Sequence, residues 1–365
     1  MNSLKTVKRY LAALLLVGAA LTSVSCDKSF FDGEEDCEVI HILRFRYEMN
    51  LKWADAFPSE VSSVNSVNLY VYDSKGLFVK EYRGRGDELS SPDYHIVLDL
   101  PAGDYRFVAW CGLETGAAEE SFTVPQPVAG VSRIEELTCS LTTQSASVYA
   151  RADAPRYSNK CLTFLYHGYM SVHLEDNHDG QRYEHVMYLT KDTNHIRVVL
   201  QELQGEGMDS RDYDITIEDA NGIMAYDNAL LACDKITYEP WLQDSDEIGV
   251  GKPESNEGIE YIRGIYADLT VGRLLASRQD KLMLTIKKHD TKEEIACVPF
   301  LQYALLANTR YYEDVYGHKM DDQEFLDRED EYVLTFFLRN GKWTDGMIMI
   351  HSWRIVRHEY AVGGN

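Results

Sequence analysis

The sequence predicts an all-β protein built as two tandem β-sandwiches, and three observations carry that reading. Aromatic residues are abundant, with 24 Tyr and 12 Phe against only 9 Pro, which suits strands rather than linkers, collagen or helical bundles. Short alternating apolar runs recur at roughly 8–12-residue intervals with turn residues between them, the spacing of a sandwich or barrel and not of a parallel α/β sheet. The length of 365 residues, 45% of them hydrophobic, suggests two domains at a prior of roughly 150 residues each.

The N-terminus reads as an export signal. Lys5, Lys8 and Arg9 precede an apolar stretch over residues 11–21, about half the roughly 20 residues a membrane span requires. The stretch runs into Leu21-Thr22-Ser23-Val24-Ser25-Cys26, small residues directly before a cysteine as in a bacterial lipoprotein cleavage box. Residues 1–25 are therefore expected to be removed and Cys26 to carry lipid, with several acyl chains giving firm anchoring at roughly 0.8 kcal/mol per buried CH₂. Residues 26–37 are polar and acidic and suit a lipidated tether.

From residue 38 the pattern is strands. Alternation predicts them over 39–47, 67–72 and 77–82, the last two joined by the turn Asp73-Ser74-Lys75-Gly76, and over 94–98 and 105–110 around Pro101-Ala102-Gly103-Asp104. Between about 140 and 159 the periodicity fades into small and polar residues, which places a domain boundary there, with sandwiches over 38–150 and 160–365. The second half predicts strands over 183–189, 195–203, 213–218, 261–270, 281–287, 294–298, 332–338 and 347–357, and a short helix around 299–306. Asp219-Ala220-Asn221-Gly222 and Arg339-Asn340-Gly341-Lys342 read as tight turns, because Asn-Gly tolerates positive φ. The strand over 347–357 is apolar on both faces, which fits either a buried central strand or one that fills a neighbour's groove.

Chemistry is sparse. The formal charge of −23 and the lack of any Lys/Arg run exclude a nucleic-acid partner. No GxSxG elbow, P-loop, GxGxxG or HExxH occurs, and Gly84-Arg85-Gly86 lacks the strand-to-helix context of a phosphate loop. Asp176-Asn177-His178-Asp179-Gly180 has His178 where a calcium loop needs oxygen and reads as a turn; the acidic run over 321–331 reads as a solvated loop. The eleven His show no pair at helical ligand spacing. No catalytic residue, metal or cofactor is expected. With Cys26 lipidated, Cys37, Cys111, Cys139, Cys161, Cys233 and Cys297 remain, an even number compatible with disulfides, while their place in apolar runs equally suits buried thiols.

Several segments in order give the chain a resemblance to a known family. They are Phe45-Arg46-Tyr47-Glu48-Met49-Asn50, Asn68-Leu69-Tyr70-Val71-Tyr72-Asp73, the run from Asp99 through Trp110 to Leu113, Leu165-Tyr166-His167-Gly168, residues 189–200, residues 324–332, and residues 350–357 around Trp353. Together, behind a lipoprotein signal, they resemble the FimB-like or Mfa-like lipoprotein anchor subunits of type V fimbriae. The resemblance implies two transthyretin-like β-sandwiches, a lipid anchor in the outer membrane at the cell surface, and a place at the base of a fimbrium. It also implies a stalk subunit as partner, joined by strand addition, with the first strand, 39–47, retained because cutting after it would free the fold from its lipid. A glycan-binding surface lipoprotein of a polysaccharide uptake system is the alternative. Against it, Trp110 and Trp353 sit in apolar strand patterns that suit a core better than a sugar platform.

Overall fold

The computed structural model describes residues 39–50, 64, 66–114, 120–145, 155–176, 181–203, 208–250, 260–308, 317 and 319–350, with backbone only at 246–250, 260–263 and 345–350. The strands of the first half are β1 (Ile40–Arg46), β2 (Ser66–Asp73), β3 (Phe78–Arg85), β4 (Ile96–Val97), β5 (Gly103–Cys111), β6 (Phe122–Thr123), β7 (Thr138–Leu141), β8 (Gln144–Ser145) and β9 (Arg156–Ser158). Then come β10 (Tyr166–Leu174), β11 (Arg182–Tyr188), β12 (Thr190–Lys191), β13 (Asn194–Glu202), β14 (Tyr213–Asp219), β15 (Ile223–Ala225) and β16 (Ile236–Tyr238). The chain continues through β17 (Leu242–Val250), β18 (Glu260–Val271), β19 (Met283–Lys288), β20 (Glu294–Pro299), β21 (Glu331–Arg339) and β22 (Lys342–Ile350). Two short helices interrupt the last strands, α1 (Phe300–Ala304) and α2 (Asp322–Arg328).

The fold is all-β, as the composition predicts. A three-stranded sheet, β11-β1-β4, faces a five-stranded sheet, β12-β10-β5-β2-β3. Between them lies an apolar core holding Leu43 and Phe45 of β1, Leu69 and Val71 of β2, and Phe107 and Ala109 of β5. A second five-stranded sheet, β17-β18-β13-β21-β22, shares a larger core with a six-stranded sheet, β20-β19-β14-β16-β9-β8. The opposite face of β2 and β5, carrying Tyr70, Tyr72, Val108 and Trp110, contributes to that same larger core. The central sheet is thus buried on both sides, which is why Val67-Asn68-Leu69-Tyr70-Val71-Tyr72 reads as a nearly continuous apolar run.

This sharing corrects the expected boundary. Residues 150–160 do not separate the sheets: β10 lies beyond them, yet all nine of its residues pair with β5. Within the expected linker, β8 and β9 join the six-stranded sheet through Ile236↔Arg156 and Gln144↔Tyr157. Strands of two and three residues are too short to alternate visibly, so the sequence looks featureless where the chain crosses between layers.

Three further expectations change. The acidic run is not a solvated loop: Asp321 caps α2 by accepting from Glu324 N at 2.7 Å, and Phe325 and Leu326 are buried. Asn221-Gly222 is not a hairpin turn, because β14 pairs with β16 and β19. Asn221 is instead buried, its Oδ1 accepting from the Tyr238 hydroxyl at 2.6 Å. The described part of the expected final strand, 347–350, is at an edge and not central; β22 pairs with β21 on one side only among the described residues, and 351–357 lie outside them. The turns at 73–76 and 339–342 form where they are expected. Asn340 and Gly341 have φ of 53° and 71°, and the Asp73 carboxylate accepts from Lys75 N and Leu77 N, both at 2.9 Å.

Candidate functional site: a buried polar junction

Three of the segments that carry the resemblance, 165–168, 189–200 and 324–332, meet in one place. Tyr166 and His167 of β10 pair with Lys191 and Thr190 of β12. Two residues later β13 begins, running parallel to β21, with His195 N donating to Asp330 O at 2.8 Å. The corner between β12 and β13 holds Asp192 and Thr193. Asp192 N donates to Leu165 O at 2.7 Å, and Leu165 N donates to Thr193 Oγ1 at 3.3 Å. This corner passes the chain from the central sheet into the second five-stranded sheet.

The Asp192 side chain is fully buried. Its Oδ1 accepts from Asn228 Nδ2 at 2.9 Å and from Arg273 Nη1 at 3.0 Å. The same Nη1 lies 3.2 Å from Asp327 Oδ1 of α2. Gln323, one helical turn earlier, donates to Asp327 Oδ1 at 2.8 Å and to Leu274 O at 3.2 Å. One guanidinium therefore faces a fully buried carboxylate, Asp192, and a half-buried one, Asp327. Burial pushes both carboxyls above the ordinary aspartate value, and Arg273 opposes it. At the rim, Lys191 pairs with Asp330 and lies 3.7 Å from the Phe164 ring centroid.

Two further buried groups flank the cluster. Burial pushes the Glu329 carboxyl up to about 8, and the neighbouring Asp330 and Glu331 carboxylates add to the rise. Its Oε1 accepts from Asp330 N at 3.2 Å and Glu331 N at 2.9 Å. His167 is pushed down to about 4 by burial. Its Nε2 contacts Tyr226 O at 2.9 Å, and a carbonyl only accepts, so this nitrogen carries the proton. The arrangement can fix the corner through directional bonds. It presents no exposed nucleophile and no paired acid and base facing a cavity.

Sequence reasoning missed Arg273, whose signal was a lone cation in the apolar run Val271-Gly272-Arg273-Leu274. Trp110 is fully buried, as its strand pattern suggests. The five described cysteines are free thiols, with Cys111 and Cys139 buried. Cys26, Cys37, Trp353 and residues 177–180 lie outside the described residues. An open cleft of about 530 Å³ lies between β7–β15 and β9–β16, with Arg156, Cys233 and Asp234 on its walls. Among the described residues, β17 and β22 are the outer strands of their sheet and pair on one side only. At β3 the edge is partly closed, since Phe78 N donates to Ser132 O and Gly130 N to Phe78 O.

Comparison with known proteins places the whole arrangement. The family model described as fimbrillin-A associated anchor proteins Mfa1 and Mfa2 matches residues 34–359. A crystal structure of a candidate adhesin from Bacteroides thetaiotaomicron is 31% identical, with 86% of this chain and 96% of that one covered and a TM-score of 0.68. A candidate polysaccharide-binding protein from the same organism is 26% identical over 88% and 99% of the two chains, with a TM-score of 0.67. The fimbrial anchor protein Mfa2 of Porphyromonas gingivalis shares the fold at 16% identity, covering 87% and 100%, with a TM-score of 0.60. No curated protein matches the chain in sequence.

Proposed function

Because the chain belongs to the fimbrillin-A associated anchor family, we propose that it is a non-enzymatic, membrane-anchored subunit that attaches the base of a type V fimbrium to the outer membrane and takes part in its assembly. The observation that carries this reading is the family match over residues 34–359, which begins just after the lipoprotein-type sequence ending in Cys26. Acyl chains on Cys26 hold the protein in the outer membrane, and residues 26–37 tether the fold at the cell surface. The stalk subunit joins by strand addition, for which β17 and β22 offer main-chain donors and acceptors at either edge of one sheet. β1 is retained, because its removal would separate fold from lipid.

The test is Cys26→Ala. The variant is expected to leave the detergent phase and to shed fimbriae into the medium. Unchanged membrane partition would overturn the anchor assignment. A second reading, a glycan-binding surface lipoprotein, is favoured by the 26% identical relative described as polysaccharide-binding. Retention of the soluble domain on bacterial or host glycans, without co-purifying fimbrial subunits, would select it.

A further inference from the structure

Where the first sandwich opens at the start of β1, two histidines from neighbouring strands meet ring to ring. His41 Nδ1 and His185 Nε2 are 3.1 Å apart. The ring centroids are 5.3 Å apart with 19° between planes, so the rings meet nearly edge to edge. Tyr183, two residues before His185 on β11, stacks on His41 with ring centroids 5.1 Å apart. His41 is 5% exposed, and its Nε2 contacts Glu175 O at 3.0 Å. A carbonyl accepts only, so His41 carries its proton on Nε2 and leaves the Nδ1 lone pair facing His185. A carbonyl that fixes one imidazole tautomer and aims its other nitrogen is the outer-shell arrangement of metal-binding histidines.

We propose that His41 Nδ1 and His185 Nε2 form an open two-histidine site for a first-row transition-metal ion of the zinc or copper class. Zinc bound to both nitrogens at about 2.0–2.1 Å with a tetrahedral angle sets them about 3.3 Å apart, close to the 3.1 Å observed. Binding needs no large backbone movement. His185 is only partly buried, so it turns to aim its lone pair, and its single ring proton moves from Nε2 to Nδ1. The inter-ring hydrogen bond, His185 Nε2–H to His41 Nδ1, is exchanged for two metal–nitrogen bonds, and no oxidant is consumed. Among the described residues, no third His, Cys, Asp or Glu completes a closed set. The remaining coordination positions therefore fall to water or to a donor from outside the chain. Sequence spacing hid this pair, because the two residues are 144 positions apart and only strand pairing joins them.

The experiment titrates the untagged full chain in detergent with Zn²⁺ by calorimetry, beside His185→Gln and His173→Asn. Glutamine keeps a donor for His41 Nδ1 but offers no imidazole, while His173 is an exposed control paired with Asp104 at 2.7 Å. Wild type and His173→Asn should bind one equivalent, and His185→Gln should bind at least about tenfold more weakly. Wild-type affinity should fall between pH 7.5 and 5.5 as protons compete for the nitrogens. Bound Cu²⁺ should show electron-spin coupling to two imidazole nitrogens. Absence of saturable binding below about 1 mM, equal binding by His185→Gln, or no imidazole coupling in the wild type would each overturn the site.

Discussion

The two sandwiches are joined in two places whose chemistry is opposite. At the central sheet, β2 and β5 bury apolar side chains on both faces, so that Phe107 belongs to one core and Trp110, three residues on, belongs to the other. At the corner after β12, the joint is a guanidinium between two carboxylates. Apolar burial is non-directional and strong, at roughly 25 cal/mol per Å² of surface removed from water. A buried ion cluster adds little net stability against an apolar replacement but penalises every geometry that separates its members. The comparison teaches that the shared sheet holds the two sandwiches together, while the polar corner fixes how the chain crosses between them.

The sharpest break of this comparison is at the shared sheet. Trp110→Ala and Phe107→Ala should each cost about 3–5 kcal/mol. Because they sit in different cores, the double variant should lose on the order of 6–10 kcal/mol, comparable to a whole domain's stability of about 5–15 kcal/mol. Each single variant should melt in one transition seen alike by far- and near-ultraviolet circular dichroism, since neither sandwich can lose the sheet alone. Two separated transitions would mean that the sandwiches are independent after all.

The next effect is at the corner. Arg273→Met leaves Asp192 and Asp327 facing each other without a cation and should cost about 3–5 kcal/mol in urea melts near neutral pH. Adding Asp192→Asn and Asp327→Asn removes the stranded charges and should recover most of that loss. Failure to recover would assign the penalty to Arg273's packing rather than to its charge.

The contrast also explains what was legible. β1, β2, β5, β13 and β21 were visible because each is long enough to show its pattern, and the doubly buried β2 even reveals its two-faced environment in Val67-Asn68-Leu69-Tyr70-Val71-Tyr72. The crossing between layers was not. β8, β9, β15 and β16 are two or three residues long, and their pairing depends on partners far along the chain. The junction was half legible. Residues 189–200 and 324–332 stood out through the resemblance, but nothing local says that Asp192 faces Arg273, 81 positions away. The acidic run misled because seven carboxylates outweighed the Phe325-Leu326 pair that anchors α2 in the core. Likewise, the Asn221-Gly222 dipeptide has the chemistry of a turn but spends its amide on Tyr238 and Arg273 O.

The smallest effect is the most diagnostic, because Glu329 and His167 flank the corner with opposite pH signs. Glu329 titrates at about 8 in the fold against an ordinary value near 4.3 when unfolded. The folded state thus holds the extra proton between those values, and stability falls as pH rises through the window. His167 titrates at about 4 against about 6.5 unfolded, so the unfolded state holds the extra proton and stability falls as pH drops from 6.5 towards 4. Between about 4.5 and 6.5 the two slopes oppose each other, and above 6.5 only the Glu329 loss continues. Wild type should therefore show a shallow plateau in mildly acid solution and a decline towards pH 8. Glu329→Gln keeps a neutral side chain of the same shape, and with it the decline above pH 6.5 should vanish while stability near pH 5 changes little. If urea midpoints of Glu329→Gln and wild type stay parallel from pH 5 to 8, Glu329 is not the buried acid that the corner encloses, and the polar joint is held by the Arg273 cluster alone.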